Sequence, residues 1–357
     1  MENPVGTVIQ IKANYYFVNY KNLIFLCKLR SKIKKRKLEV KVGDKVILEE
    51  VCFEKKTAVI SDILLRNNDL NRPNIANIDQ IVIVMSTYQP KFNSLILDRL
   101  LVNSSFYNIK AFICINKLDL DKDEKVRNEI NDIYFNLNYP LYFISALNYV
   151  GIDLFKQLFK NKITVLTGPS GVGKSTILNI LDHDLNLKTS EIQSKHEKGK
   201  HTTRHVSLYK IKIDEDYGFI VDTPGFSFTD LGDIEPADLG WFFPEFVPYI
   251  PECKFKRCLH WQEPECKVKE KININSQRYL NYLNILYELQ DKQKKRYLTK
   301  QEVLTKTKLD SHGKEIKLIK LGILPREDSR RVKKQKLTQV ERNFSLDDID
   351  TELFNLK

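Results

Sequence analysis

The stretch Gly168-Pro-Ser-Gly-Val-Gly-Lys-Ser175 constrains the fold of this chain more than any other feature of its sequence. It fits the pattern G-x-x-x-x-G-K-S/T, with an apolar run, Ile163–Thr167, before it and an apolar helical stretch, Lys174–Leu181, after it. A strand, a glycine-rich loop and a helix in this order form a phosphate-binding loop, whose backbone N–H groups surround a phosphate. The sequence therefore predicts an α/β sheet with a nucleotide site at the carboxyl ends of its strands.

The side chains of this loop have distinct expected roles. Lys174 is expected to reach the β and γ oxygens of the nucleotide, and Ser175 is expected to place its hydroxyl on Mg²⁺. The nucleotide-binding residues predicted in this loop are Gly168, Pro169, Ser170, Gly171, Val172, Gly173, Lys174, Ser175 and Thr176.

A motif upstream of the loop points to guanine as the base. Asn116-Lys-Leu-Asp119 directly follows the apolar run Ala111–Ile115 and resembles the N-K-x-D motif of GTPases. The Asp119 carboxylate can accept both the N1–H and the 2-amino N–H of guanine, a pair of donors that adenine lacks. Asn116 can hold guanine O6 and tie its loop to the phosphate-binding loop, while the stem of Lys117 can cover the base.

Three further motifs complete the expected site. Ser145-Ala146-Leu147 resembles the supporting S-A-x element, in which a backbone N–H faces guanine O6. Asp222-Thr-Pro-Gly225 resembles D-x-x-G, in which the aspartate holds Mg²⁺ through water and the glycine N–H senses the γ-phosphate. The stretch 199–205 resembles switch I, where one threonine completes the Mg²⁺ shell. Thr203 is favoured over Thr202 for that role.

The order of these motifs differs from that of an ordinary small GTPase. There the phosphate-binding loop, switch I and D-x-x-G come before N-K-x-D and S-A-x, whereas here the last two come first. This order predicts a circular permutation, which the sheet tolerates because the ends of a domain often lie close together. The segment after D-x-x-G then runs directly into the C-terminal part, so the nucleotide state could move that part.

Phe226 follows Gly225, where Ras-like enzymes have a glutamine that orients the attacking water. Phenylalanine cannot do this, so we expect weak intrinsic hydrolysis. His201 is the local candidate for positioning water because an imidazole can donate or accept near neutral pH. The alternative for His201 is a solvated loop histidine.

The N-terminal part has a different pattern. Before residue 70 the chain contains five short β-rich runs with no helix between them, which predicts a small closed barrel of the OB-fold or SH3-like type. Seven of the ten residues at 28–37 are basic, forming either a solvated loop or a loop that contacts phosphates. Lys and Arg together number 58 against 46 Asp and Glu, a net charge of +12, which favours nucleic acid as a partner.

A cysteine–histidine cluster lies near residue 260. Cys253, Cys258, His260 and Cys266 supply three thiolates and one imidazole, a donor set that fits a closed tetrahedral zinc site. The predicted Zn²⁺ is single and structural, because four protein ligands leave no open position. The remaining cysteines, Cys27, Cys52 and Cys114, are expected to be small buried side chains.

These features predict four segments: a barrel at 1–69, a nucleotide domain at 70–235, a zinc-binding domain at 236–297 and a basic tail at 298–357. No apolar run reaches the ~18–20 residues that span a bilayer. The N-terminus lacks the pattern of a secretory signal. We expect a cytoplasmic protein with reduced thiols, no membrane partner and a monomeric state.

Over residues 5–300 the chain resembles the RsgA-type family of small ribosomal subunit biogenesis GTPases. The resemblance rests on the motifs G-P-S-G-V-G-K-S-T, G-K-H-T-T, D-T-P-G-F, N-K-L-D and C-K-F-x-x-C-L-H-x-x-x-x-x-C. It implies a multidomain α/β protein with an N-terminal OB-fold, a circularly permuted P-loop GTPase domain and a C-terminal zinc-binding helical domain. It also implies GTP hydrolysis, with Mg²⁺, stimulated by the small (30S) ribosomal subunit during its late maturation. In that family the histidine matching His201 is catalytic; Lys174 and Thr203 complete our expected catalytic set.

The leading interpretation is thus a GTPase that binds rRNA of the small subunit and leaves after converting GTP to GDP. The alternative is a nucleotide-regulated RNA-binding or chaperone module with little turnover, which Phe226 favours. A lipid-anchored signalling GTPase is disfavoured because Glu2 stands where myristoylation needs glycine and the C-terminus has no cysteine.

Overall fold

A computed structural model of the chain describes residues 3–35, 39–71, 74–137, 139–181, 206–222, 231, 233–304, 307–309 and 315–317. The residues His201, Thr202, Thr203, Gly225 and Phe226, which are singled out above, lie outside the described residues, as does most of the segment 298–357. The chain divides into two units, Met1–Gly232 and Asp233–Lys357. None of the helices in the described part is long and apolar enough to cross a lipid bilayer.

The first unit begins with the predicted five-stranded barrel. Its strands are β1 (Val5–Lys12), β2 (Tyr15–Tyr20), β3 (Leu23–Leu29), β4 (Lys45–Cys52) and β5 (Thr57–Ile63). They pair in the order β1-β2-β3-β5-β4, and β4 returns to β1, which closes the barrel. Alternate side chains point inward, so Val8, Val18, Phe25, Leu48 and Ile60 form its buried core. Closure removes the free edges that would expose unpaired backbone groups.

The basic segment 28–37, expected as a loop, is helical in part. Helix α1 spans Ser31–Lys35. Ile33 is buried in the barrel core, and Ile33 N–H donates to Arg30 O. Ile33, an apolar residue in a basic run, therefore anchors the helical part of the segment to the barrel.

The second part of this unit is the α/β domain. A short hairpin, β6 (Asp69–Asn71) and β7 (Asn74–Ala76), precedes β8 (Gln80–Ser86), β9 (Lys110–Asn116), β10 (Leu141–Phe143), β11 (Ile163–Thr167), β12 (Ser207–Ile213) and β13 (Asp216–Asp222). The spatial order is β10-β9-β8-β11-β13-β12. All neighbours from β10 to β13 are parallel. Because β8, β9 and β10 precede β11 in the chain but lie in the same parallel sheet, with β8 next to β11, the sheet has the predicted permuted connectivity.

The helices of this domain are α2 (Ser94–Phe106), α3 (Lys125–Tyr134), α4 (Ile152–Lys156) and α5 (Lys174–Leu181). The sequence pattern predicts a helix over 121–137, but α3 is shorter, because the Asp121 carboxylate accepts N–H groups of Val126 and Arg127 and so caps a helix that starts later. A 3₁₀ turn, Phe135–Leu137, follows it.

Strand β12 was not predicted from the sequence. Its residues alternate between buried and exposed, whereas the parallel strands predicted from the sequence are continuous apolar runs. β12 pairs antiparallel with β13 and also contacts the barrel, where Ser207 pairs with Gln10 of β1. The barrel and the α/β domain therefore share one continuous sheet of eleven strands among the described residues.

The second unit consists of short helical turns around one long helix. Its elements are the 3₁₀ segments Pro236–Phe242 and Ile250–Glu252, helices α6 (Lys267–Lys271) and α7 (Gln277–Leu304), and the strands β14 (Thr307–Leu309) and β15 (Glu315–Lys317). The sequence pattern predicts a helix over 277–295, and α7 extends beyond that end. Phe243, Phe246 and Tyr282 form the centre of its core, with ring centroids 4.8–5.3 Å apart.

Candidate functional site: a guanine-nucleotide pocket and a metal cluster

The phosphate-binding loop connects the end of β11 to the start of α5. Gly168 and Gly173 have φ of +143° and +98°, values that side-chain-bearing residues rarely adopt. A Cβ on Gly168 would also overlap the carbonyl of Val84 in β8. Val172 is buried in the domain core and anchors the loop between these glycines. The loop conformation therefore depends on its glycines and on one apolar contact.

Lys174 lies at the start of α5 with its ammonium inside the loop. Its Nζ donates to Gly168 O at 2.7 Å and to Pro169 O at 2.6 Å. Burial lowers the pKa of Lys174. A buried ammonium gains more from an anionic partner than from carbonyl dipoles, which favours a phosphate ligand here.

Asn116 joins three of the predicted motifs. Its side chain is buried; Nδ2 donates to Val172 O of the phosphate-binding loop at 2.9 Å. Its Oδ1 accepts Ala146 N–H of the S-A-L element at 3.0 Å. A Cβ on Gly173 would overlap the Asn116 amide, so glycine is needed for this approach. The structure thus brings the base-recognition and phosphate-binding loops into direct contact.

The carboxylate of Asp119 is oriented by the S-A-L element. Ser145 Oγ donates to Asp119 Oδ1, and Ser145 Oγ itself accepts Asn148 N–H at 3.3 Å. Ser145 is buried, whereas Asp119 is half-buried. This arrangement presents a fixed carboxylate to two N–H donors on the edge of a base.

Lys117 makes contacts that the sequence motifs did not suggest. Its backbone is left-handed, with φ of +66°, and its Nζ donates to Gln89 O. Thr87 Oγ1 donates to Lys117 O at 2.7 Å. Thr87 and Gln89 lie in the loop after β8, which carries no nucleotide-binding motif. They lie near Asn116 because β8, which precedes their loop, pairs with β9, which ends at Asn116.

The remaining predicted nucleotide residues share the same edge of the sheet or lie outside the described part. Ser175 and Thr176 are half-buried in the first turn of α5. Asp222 ends β13, the parallel neighbour of β11. Because parallel strands end at one edge, Asp222 belongs to the same edge as the phosphate-binding loop.

In the second unit Cys253, Cys258, His260 and Cys266 form one cluster, with ligand atoms all within 4.8 Å of one another. Cys253 Sγ lies 3.7 Å from His260 Nδ1 and 4.0 Å from Cys266 Sγ. A tetrahedral zinc ion with Zn–S bonds of ~2.3 Å separates its ligands by about 3.8 Å. These spacings fit such an ion.

The electrostatics of this cluster also favour a cation. Burial raises the pKa of Cys258 to about 12 and raises the pKa of Cys266, so both thiols resist ionisation on their own. Burial lowers the pKa of His260, which keeps the imidazole neutral, as a metal ligand requires. A divalent cation would stabilise the thiolates in this apolar setting.

The turn that carries Cys258 and His260 is held from two sides. Glu263 accepts backbone N–H groups of Leu259 and Trp261 at 2.8 and 3.1 Å. Helix α7 contributes Tyr279 Oη, which donates to His260 O at 2.7 Å. The other cysteines lie apart from this cluster; Cys27 and Cys114 are buried as predicted, whereas Cys52 is only partly buried because it ends β4.

We predict that Asn116→Asp weakens GDP binding about tenfold to a hundredfold, the cost of leaving one buried polar group unpaired. The carboxylate can still accept Ala146 N–H, but it cannot donate to Val172 O. Titration with a fluorescent GDP analogue measures the change. Asn281→Asp, the same substitution at a buried asparagine of the second unit, should leave GDP affinity within about twofold. Unchanged GDP affinity in Asn116→Asp would contradict the role of the amide.

Comparison with family models gives three matches. A model described as "RsgA N-terminal domain" matches residues 5–60, and one described as "RsgA GTPase" matches residues 63–232. A third, described as "50S ribosome-binding GTPase", matches residues 163–319. The first two models together cover the barrel and the α/β domain.

Curated relatives and solved structures agree with these matches. The chain is 37% identical over 299 residues to the small ribosomal subunit biogenesis GTPase RsgA of Halalkalibacterium halodurans, covering 82% of this chain and 100% of the relative. It is 40% identical over 293 residues to the RsgA of Clostridium kluyveri, covering 81% of this chain and 99% of the relative. The structure of YjeQ from Thermotoga maritima is 34% identical, with a TM-score of 0.68 over 81% of this chain and 99% of that one. The structure of YloQ, a circularly permuted GTPase, is 32% identical, with a TM-score of 0.66 over 82% of this chain and 96% of that one. The chain therefore belongs to the RsgA family of small ribosomal subunit biogenesis GTPases and is a GTP hydrolase.

Proposed function

We propose that this GTPase binds the small ribosomal subunit through its rRNA while it holds GTP, assists late maturation of that subunit, and leaves after hydrolysis. The observation that carries this proposal is the near full-length match to relatives named for small-subunit biogenesis. In this proposal the chain acts as a cytoplasmic monomer. The barrel (1–69) and the zinc-binding domain (236–297) contact RNA, and the domain between them (70–235) responds to the nucleotide.

The surface of the barrel supports RNA binding. Phe53 is 49% exposed and packs edge-on against Phe25, with ring centroids 5.4 Å apart. Lys21 Nζ lies 5.5 Å from the Tyr20 ring centroid and 6.0 Å from that of Phe53. Exposed rings beside ammonium groups suit nucleic acid, because bases stack on the rings and phosphates pair with the cations. The basic segment 28–37 would extend this phosphate-binding surface.

The shared sheet supports communication between the barrel and the nucleotide site. Gln10 of β1 pairs with Ser207 of β12, and Lys210 Nζ lies 3.5 Å from Asn22 O of the barrel. In the sequence Thr203 stands four residues before Ser207. An RNA that restrains the barrel would therefore act on the strand that directly follows switch I.

Hydrolysis would use residues at the end of the phosphate-binding loop together with residues that follow it in the chain. We propose that Ser175 and Thr203 bind Mg²⁺ directly and that Asp222 holds it through water. The ion would neutralise charge on the β and γ oxygens, with Lys174 beside it. His201 would position the attacking water, a role for which Phe226 is chemically unsuited.

The choice of ribosomal subunit needs a direct test, because the descriptions of similar proteins differ. The curated relatives are named for the small subunit, whereas one family model, over 163–319, is described as binding the 50S subunit. We favour the small subunit because those relatives match across both the barrel and the nucleotide domain, whereas the 50S-described model begins at β11.

We predict that purified small subunits raise GTP hydrolysis about tenfold or more, as expected when a partner completes a GTPase site. Phosphate release is measured with GTP or ATP, with small subunits, large subunits or neither. ATP should not be hydrolysed, and Lys174→Ala should be inactive.

Equal or stronger stimulation by large subunits would overturn the choice of subunit. Equal co-sedimentation with small subunits in GDP and in a non-hydrolysable GTP analogue would overturn release by hydrolysis. Tight GDP binding without stimulation by either subunit would favour a regulated RNA-binding module instead.

His201→Ala should lower the stimulated hydrolysis rate about a hundredfold, the usual contribution of a positioned acid–base group. GDP affinity should stay within about twofold, because the proposed role concerns the water and not the nucleotide. Single-turnover kinetics with small subunits give the rate, and His312→Ala serves as the control. A stimulated rate in His201→Ala equal to that of the unaltered chain would refute the assignment.

The cysteine–histidine cluster is proposed to hold one structural Zn²⁺ through Cys253, Cys258, His260 and Cys266. We predict that the purified chain carries about one zinc ion and that Cys266→Ser loses it, since three remaining ligands bind far more weakly. Atomic absorption measures the metal, and thermal unfolding with and without a chelator measures its contribution. Cys52→Ser, outside the cluster, should keep the zinc. Full zinc content in Cys266→Ser would refute the site.

A further inference from the structure

The loop between β8 and α2, residues 87–93, lies against two nucleotide-binding motifs although it contains none itself. Thr87 N–H donates to Asn116 O at 3.2 Å. On the other side, Pro90 Cδ lies 3.6 Å from the position of a Cβ built on Gly171 of the phosphate-binding loop. This loop therefore sits between the base-recognition motif and the tip of the phosphate-binding loop.

Both ends of Lys117 are held by this loop. Thr87 is fully buried, and its Oγ1 donates to the Lys117 carbonyl at 2.7 Å. At the far end of the side chain, Lys117 Nζ donates to Gln89 O. The left-handed backbone of Lys117 is unfavourable for a residue with a Cβ, so it persists only where its surroundings hold it. The Thr87 hydroxyl is one of the groups that hold it.

The loop is itself well braced. Ser86 Oγ donates to Pro90 O at 2.7 Å, and Phe92 N–H donates to Thr87 O at 3.2 Å. Asn93 then caps α2, with its Oδ1 accepting Ile96 N–H at 3.1 Å. A braced loop can impose a position on Lys117 instead of following it.

A lysine side chain that is free in solvent loses rotamer entropy when it is fixed. Hydrogen bonds to its carbonyl and to its ammonium already fix Lys117 in the protein without a ligand. The entropy of this side chain is therefore not lost again when the nucleotide binds. The methylene stem of Lys117 would then form a fixed apolar wall beside the base that Asp119 is proposed to read. Preorganisation of this kind raises affinity without any new contact to the ligand.

We propose that Thr87 is a positioning residue for guanine: together with the Gln89 carbonyl it fixes the stem of Lys117 as one wall of the base pocket. This inference rests on the proposed assignment of Asn116, Lys117 and Asp119 to guanine. It makes the loop 87–93 a further element of the nucleotide site, acting through Lys117 and not on the nucleotide itself.

Thr87→Val tests the inference because it removes the hydroxyl and keeps the shape. We expect it to weaken GDP binding about fivefold to tenfold, the size of one buried hydrogen bond. Affinity for inorganic pyrophosphate, measured by displacement of a fluorescent GDP analogue, should stay within about twofold because that ligand has no base. Thr87→Ser, which keeps the donor, should bind GDP nearly as well as the unaltered chain.

A matched control and a double-mutant cycle separate positioning from a general loss of stability. Thr164→Val makes the same change at a buried, hydrogen-bonded threonine on β11, and it should leave GDP affinity within about twofold. In a Lys117→Ala background, Thr87→Val should change GDP affinity by less than about twofold, since there is no stem left to position.

Three results would overturn the inference: unchanged GDP affinity in Thr87→Val, an equal loss for GDP and pyrophosphate, or a full effect that persists in Lys117→Ala. The guanine assignment fails separately, if the unaltered chain binds GDP no better than ADP. Preference for GDP in the unaltered chain, with unchanged affinity in Thr87→Val, would refute the role of Thr87 alone.

Discussion

The buried amide of Asn116 is the contact on which the nucleotide site depends. One amide both donates to the phosphate-binding loop, at Val172 O, and accepts from the S-A-L element, at Ala146 N–H. An asparagine side chain suits this place because it offers a donor and an acceptor on a short, stiff stem. Gly173 allows this approach because it has no side chain, so the contact needs both glycine at 173 and asparagine at 116. The rest of the pocket, including the orientation of Asp119, is built outward from this point.

The permuted chain order changes connectivity without changing the site. In a parallel sheet all strands present their carboxyl ends at one edge, so loops after β8, β9 and β11 meet there in whatever order the chain visits them. Strand β12 connects this sheet to the barrel. That strand lies between the two switch motifs in sequence and pairs with β1 of the barrel. A partner bound to the barrel and a nucleotide bound at the sheet edge therefore act on one continuous hydrogen-bonded structure.

The cysteine–histidine cluster lies in a unit in which short turns pack against the long helix α7. Three thiols and an imidazole converge where Tyr279 and Tyr282 of α7 donate to the backbone of the same turn. Phe246 packs edge-on against the His260 ring, with centroids 6.0 Å apart. Apolar packing brings the ligand atoms together. The same burial disfavours free thiolates, so Cys258 and Cys266 would ionise readily only when bound to a cation. Packing and metal binding would thus support each other in this unit.

The sequence by itself determined the elements whose chemistry is local. Glycines with positive φ, the lysine after them, the N-K-L-D and S-A-L motifs and the four-ligand spacing can all be read from short stretches, because backbone conformation and ligand type there depend on neighbouring residues. The barrel and the permuted sheet followed from runs of apolar residues and the order of motifs. Only the tertiary structure decided what depends on contacts between distant segments. It revealed β12, whose side chains alternate between the core and solvent and which pairs with β13 and, at Ser207, with β1, and the burial of Ile33 that turns part of a basic run into a helix. It also placed Thr87 and Gln89 against Lys117, since a threonine hydroxyl and a backbone carbonyl acquire a role only when the sheet brings a partner within hydrogen-bonding distance.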